Sequence, residues 1–161
     1  MRITLLFYAI LLSSLAFFTY LLLLICLQYL PIRYDAAFLA LKHEEIQYTY
    51  YKTAFFTHVF TSIFTIVLGT IQFFRFTRTK KLHRMFGKLY VITILGFSGP
   101  SGLIMSFHAN GNWISKSSFI LLSILWLYFT YTAWVKARQK DFNTHRKFMI
   151  RSYALTLSAI T

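Results

Sequence analysis

Residues 53–75 read TAFFTHVFTSIFTIVLGTIQFFR, a run of 23 residues without an acidic group and with its one arginine at the end. A helix rising 1.5 Å per residue crosses about 30 Å of hydrocarbon in about 20 predominantly apolar residues, so this run is long enough to span a bilayer. Three further runs qualify, at about residues 3–28, 88–109 and 117–137. A fifth begins near Phe148 and reaches Thr161, 14 residues or roughly 21 Å of helix, which reads as a truncated span. The expectation is an all-α polytopic transmembrane helix bundle with four full spans plus a truncated fifth helix. Residues 1–30 form the first transmembrane helix, 31–52 an outer interfacial loop, and 53–161 a histidine-containing helical membrane domain.

Composition agrees with that reading. Of 161 residues, 57% are hydrophobic and 20% aromatic, whereas only 13% are charged, about half the share in soluble chains. The net charge of +13 raises nucleic acid as a partner. The placement of the charge argues for the membrane instead. Six Lys or Arg lie between Arg75 and Lys88 and six more between Lys136 and Arg151, both groups between apolar runs. The alternate connections differ: Arg33, Lys42 and Lys52 are balanced by Asp35, Glu44 and Glu45, and the next holds only Lys116. That is the positive-inside pattern, and it puts the amino terminus in the cytoplasm. The partners expected are the lipid bilayer and either a second copy of the chain or a redox partner, with no nucleic acid.

The first run extends from Ile3 to about Leu30, longer than the apolar core of a signal peptide, and lacks a small-residue cleavage site, so it reads as a retained helix. The lone cysteine, Cys26, excludes an internal disulfide and a cysteine-based metal cluster within one chain. Alternating polar and apolar residues in 31–52 suggest a short surface helix. Tyr48, Tyr50, Tyr51 and Trp113 on the outer side, with Tyr131 and Trp134 on the inner, suit interfacial aromatic belts.

Polar residues at membrane depth need a reason to be there. His58, Ser62, Thr65, Gly69 and Gln72 recur at helical spacing and keep within about 40° of one line, a stripe that faces either a packing seam or a cofactor groove. Gly96, Ser98, Gly99, Pro100, Ser101 and Gly102 fall near mid-span. Pro100 lacks an N–H, so the carbonyl of Gly96 loses its helical partner and a kink is expected. Leu82-His83-Arg84-Met85-Phe86 and Thr144-His145-Arg146-Lys147-Phe148 form a faint repeat 62 residues apart, followed by Tyr90 and Tyr153.

The histidines carry the chemistry. His58 and His108 are expected toward the outer ends of the second and third spans, His83 and His145 at the inner ends of the third and fifth. Imidazoles on neighbouring helices at similar depth are common axial ligands of haem iron. His83 and His108 are 25 residues apart, about 37 Å of straight helix, too far for two haems to exchange electrons well. The leading expectation is therefore one outer haem b at His58 and His108, with His83 and His145 the lesser candidates. An alternative is a divalent metal on the outer face, held by His43, Glu44, Glu45, His58 and His108. The rival class is a non-enzymatic membrane module, a small transporter or a packing subunit. No His-Glu-x-x-His, phosphate loop or Ser-His-Asp set is present, so no catalytic residues are assigned.

His58, Gly69 and Gln72, then Leu82-His83-Arg84-x-x-Gly87-x-x-Tyr90, Gly99-Pro100-Ser101-Gly102 and His145-Arg146-x-x-Met149-Ile150-Arg151-Ser152-Tyr153-Ala154-Leu155 together resemble the predicted membrane proteins of domain of unknown function 2306. The resemblance covers about residues 54–161 and implies mostly bacterial, multi-pass proteins of the cytoplasmic membrane, longer at the carboxyl end. The histidine pattern is also similar in architecture to membrane cytochromes of the b561 type. That second likeness implies haem-based electron transfer, although the fourth span here has no histidine, so its ligand pairing does not carry over.

Overall fold

The computed structural model describes residues 2–30, 32, 34, 37–72 and 80–158. Arg33, Asp35, Arg75, Arg78, the end of the second apolar run at 73–75 and the final residues 159–161 lie outside the described residues. The described chain is helical: α1 (Arg2–Leu27), α2 (Thr49–Ile71), α3 (Lys80–Thr93), α4 (Gly99–Phe107), α5 (Trp113–Arg138) and α6 (Phe142–Ser158). A π turn, Ile94–Ser98, joins α3 to α4 without a break. Three helical segments are long and apolar enough to cross a membrane, Thr49–Ile71, Lys81–Phe107 and Trp113–Arg138. Leu12–Leu27 is a shorter apolar helix by the same measure.

These boundaries follow from local chemistry. Asn112 starts α5 by accepting a hydrogen bond from the Ser115 N–H at 3.1 Å, after Gly111 turns the chain at φ +106°, a region that favours glycine. Asp141 does the same for α6, accepting from the Thr144 N–H at 3.1 Å. Hydrogen bonds from Thr144 hold the Asp141 carboxyl below the usual carboxylate range. The third span starts earlier than its apolar run suggests, because Lys81, Arg84 and Lys88 are helical rather than looped. Between residues 37 and 47 two short 3-10 turns, Ala37–Leu41 and Glu45–Gln47, stand where a surface helix is expected.

Chain direction gives the bundle two ends. The loop end carries residues 37–48 and 108–112; the basic end carries the start of α3, the end of α5 and the start of α6. Around the bundle, Phe64, Val67, Ile92, Phe97, Leu121 and Ile124 are exposed, an apolar rim that suits lipid. Inside, Tyr90, Val91, Ile94, Trp126 and Tyr153 form one core, and Tyr29, Leu39 and Phe55 a second toward the loop end. α1 packs against α2 near its carboxyl end, where the Cys26 thiol lies 3.5 Å from the Val59 carbonyl and Tyr29 meets Phe55 edge to face.

Lys42 anchors the loop to the bundle. It is 1% exposed, and its ammonium binds the Glu45 carboxylate at 2.9 Å and the backbone carbonyl of His108. Partial burial alone would raise the Glu45 carboxyl, but the Lys42 hydrogen bond, the Glu45 N–H and the Lys42 charge together hold it below its ordinary value. A carboxyl depressed in the folded state stabilises that state above its unfolded pKa and loses the contribution as pH falls through the folded value. Amide exchange over 37–47 is therefore expected to accelerate on acidification below about pH 4, and Glu45→Gln should abolish that dependence. An equal pH response in native and variant protein would refute the anchor.

Candidate functional site

Pro100 shapes the third span. Without its N–H the regular i→i+4 ladder cannot continue, and the chain widens: Gly99 N–H reaches back five residues to the Ile94 carbonyl. The expected disturbance at Gly96, Gly99, Pro100 and Gly102 is thus a π turn ahead of the proline. His58 meets this irregular stretch from α2. Its Nδ1 lies 2.8 Å from the carbonyl oxygen of Ser98, which only accepts, so Nδ1 carries the proton and Nε2 the lone pair. Nε2 has no hydrogen-bond partner among the described residues.

Gly102 makes this approach feasible. A Cβ there would stand 2.8 Å from His58 Cε1 and 2.9 Å from Nδ1, so only glycine admits the ring. Thr61, one turn along α2, meets the Ser98 hydroxyl at 2.5 Å. The edge of Trp126, from α5, closes the site with ring centroids 6.4 Å apart.

Trp126 also begins a second polar group. Its indole N–H donates to Thr156 Oγ1 at 3.0 Å, and the Tyr90 hydroxyl lies 2.9 Å from Thr156 and 3.0 Å from Ser152. Thr130 meets Ser152 at 2.6 Å, and Tyr153 meets Thr70 at 2.7 Å. Buried hydroxyls in hydrocarbon are costly unless satisfied, so this group fixes how α2, α3, α5 and α6 dock. The repeat has a structural counterpart here: its tyrosines, Tyr90 and Tyr153, both pack on Gly69 of α2.

Three residues of the stripe on α2, Ser62, Thr65 and Gly69, are buried. The hydroxyls of Ser62 and Thr65 return to their own helix, at the His58 carbonyl (2.6 Å) and the Ser62 carbonyl (2.7 Å). Thr61 and Thr70, beside the stripe, make hydroxyl bonds that cross between helices. Gln72 ends α2 with its amide buried and without a hydrogen-bond partner among the described residues. It faces Gly87, whose absent Cβ would lie 3.8 Å from Oε1.

The remaining histidines are dispersed. His108 caps α4, its Nε2 3.0 Å from the Tyr50 hydroxyl and its ring edge-on to Tyr51. Ser98, where the His58 ring binds, precedes it by ten residues, about 15 Å of helix. The two rings do not face a common gap. His145 Nδ1 donates to the Ala133 carbonyl at 2.8 Å, tying α6 to α5, and His83 is half-buried on the first turn of α3. His43 and Glu44 are exposed on the loop. Among the described residues no three His, Cys, Asp or Glu side chains converge as metal ligands, so His43, Glu44, His58 and His108 are not gathered into one site.

Sequence reasoning did not single out Lys42, Thr61, Thr70, Trp126, Thr130 or Thr156. Thr61 and Thr70 carry a faint signal, since both stand one position from the stripe. Comparison with curated proteins and with solved structures gives no match. The sequence profile of the predicted membrane proteins DUF2306 matches residues 55–161, which include the His58 site, the π turn and the tyrosine network, and the chain belongs to that family.

Proposed function

We propose that the chain is a small transporter-like membrane module whose working group is His58, a proton-accepting imidazole inside the bundle. The observation that supports this is the bond from His58 Nδ1 to the Ser98 carbonyl at the π turn, which fixes the ring and leaves Nε2 as the accepting nitrogen. Ionisable residues at membrane depth characteristically mark proton relays and ion paths, and irregular helices beside them form sites where backbone carbonyls take part. On protonation Nε2 gains the proton and the imidazolium keeps its Nδ1–H bond to Ser98. A cation then sits beside a carbonyl dipole at the one irregular stretch of the third span, where a change of register is easiest. The proposal extends to topology: α1 also crosses, with the amino terminus and the basic end on the cytoplasmic side of a bacterial cytoplasmic membrane, as the distribution of Lys and Arg indicates.

Proteoliposomes holding a pH-sensitive dye test the reading. Native protein is expected to pass protons down an imposed pH gradient. His58→Gln should reduce that flux by at least about tenfold, because a glutamine amide can still donate to Ser98 but cannot titrate in this range. Undiminished flux through His58→Gln, or no flux through native protein, sinks the proposal.

A haem b ligated by His58 is the second reading. The same Nδ1–carbonyl bond favours it, since ligating histidines commonly hold their other nitrogen this way. His108 could serve as the second ligand only by leaving Tyr50 and moving toward His58. A sharp reduced absorbance band lost in both His58→Ala and His108→Ala would establish the pair; a featureless spectrum from haem-replete expression removes it.

A further inference from the structure

A groove of about 500 Å³ runs along the outside of the bundle between α3 and α5, lined by Lys88, Val91, Ile92, Leu95, Gly96 and Trp134. Its floor is rigid: Val91 belongs to the main core, and Leu95 and Trp134 pack against that core. Its outer edge is open, for Ile92 is 56% exposed and a Cβ on Gly96 would meet nothing within 4 Å. The groove follows α3 from the basic end toward the π turn, and the eight helical steps from Lys88 to Gly96 cover about 12 Å.

The two ends differ in chemistry. Lys88 lines the groove nearest the basic end, and the Arg138 guanidinium lies 5.3 Å from the ring centroid of Trp134, which lines it from α5. No lining residue is acidic. Asp141, three residues beyond Arg138, turns its carboxylate to the Thr144 N–H. Further in, the walls are hydrocarbon only. A cationic, aromatic mouth at the membrane surface followed by a narrow apolar channel matches a molecule with an anionic head and a thin apolar tail.

We propose that this groove is a binding site for an anionic phospholipid of the surrounding bilayer, with the phosphate between Lys88 and Arg138 and one acyl chain along Val91, Ile92, Leu95 and Gly96. Lys supplies a point charge to phosphate, Arg a planar fork, and Trp134 the interfacial contact that aromatic belts make with headgroups. The site is independent of His58 and stands whether or not protons move there.

Brominated lipids quench nearby tryptophan fluorescence and provide the test. In Trp113→Phe protein, which leaves Trp126 and Trp134, reconstituted in phosphatidylcholine nanodiscs, brominated phosphatidylglycerol is expected to quench at about one-tenth the mole fraction that brominated phosphatidylcholine needs. Lys88→Gln combined with Arg138→Gln should bring the two lipids within about twofold of each other. Gly96→Leu should fill the channel and remove the preferential quenching while circular dichroism stays native, because its side chain enters open space. Equal quenching by both lipids in native protein, or an unchanged preference in Gly96→Leu, overturns the proposal. So does disulfide crosslinking of two copies through Gly96→Cys in a membrane, which would assign the groove to a second chain.

Discussion

Gly69→Ala is expected to destabilise the bundle by about 2–4 kcal/mol, although alanine is the better helix former by about 1 kcal/mol. The added Cβ would stand 2.4 Å from Cδ2 and Cε2 of Tyr153 and 3.0 Å from Cε2 of Tyr90. Neither ring has an easy retreat. Tyr153 is held by Thr70 at 2.7 Å, and Tyr90 is fully buried with its hydroxyl committed to Ser152 and Thr156. The methyl group therefore separates α2 from both α3 and α6, and the hydroxyl network opens with it. Gly87→Ala is the control, because its Cβ makes only ordinary contact with Gln72 at 3.8 Å. Reversible unfolding in SDS should place Gly69→Ala well below native and Gly87→Ala at or above it. A Gly69→Ala protein as stable as native would mean that the tyrosines do not pack here as described.

Gly99→Ala is expected to disrupt the π turn, at a cost of about 3 kcal/mol or more. Its Cβ would fall 2.3 Å from Leu127 Cδ2 and 2.7 Å from the carbonyl oxygen of Ile94, the acceptor that closes the turn. A side chain can rotate away; a backbone carbonyl inside a helix cannot move without its neighbours. Gly99→Ala with Leu127→Ala should for that reason remain destabilised, whereas Gly96→Ala, facing open space, should be neutral or slightly stabilising. Because Ser98 lies within the turn, Gly99→Ala should also displace the carbonyl that holds His58, visible as a shift of the His58 ring resonances. Full recovery of stability in the Gly99→Ala, Leu127→Ala double variant would show that the carbonyl contact is unimportant.

Both variants bear on the difference between what was legible in the chain and what was not. The His58–Gln72 stripe was visible from its spacing, and the structure buries its central residues Ser62, Thr65 and Gly69, yet its hydroxyls bond within their own helix. Periodicity locates a face; it does not say whether a serine on that face reaches across or back. Thr61 and Thr70, one position aside, reach across to Ser98 of the π turn and to Tyr153 of α6. The proline likewise announced a disturbance near Gly96, but whether the chain kinks or widens depends on what packs beside it. Leu127, His58 and Trp126 occupy that space, and none adjoins Pro100 in the chain.

The histidines separate most clearly. Counting along spans suggested that His58 and His108 share a depth; His58 falls near the middle of α2, whereas His108 caps α4. The rings part because His108 stands at the very end of α4, where Tyr50 and Tyr51 take it up, while His58 is aimed at a carbonyl ten residues earlier in the chain. A depth estimate along a helix is good to about a turn and says nothing of rotation about the axis, and a ligand pair needs both.

By itself, the sequence determined that this is an all-helical membrane protein, since only helices or closed barrels satisfy backbone hydrogen bonds in hydrocarbon and the apolar runs have helical length. It also determined the positions of the basic end and of the proline disturbance, both consequences of local composition. The long-range partners of the buried polar groups were decided by tertiary structure alone: His58 with Ser98, Tyr90 with Ser152 and Thr156, Lys42 with the His108 carbonyl. Those pairings depend on the rotation and tilt of whole helices, set by contacts such as Gly69 against Tyr153 and Gly102 against His58 that join residues distant in the chain.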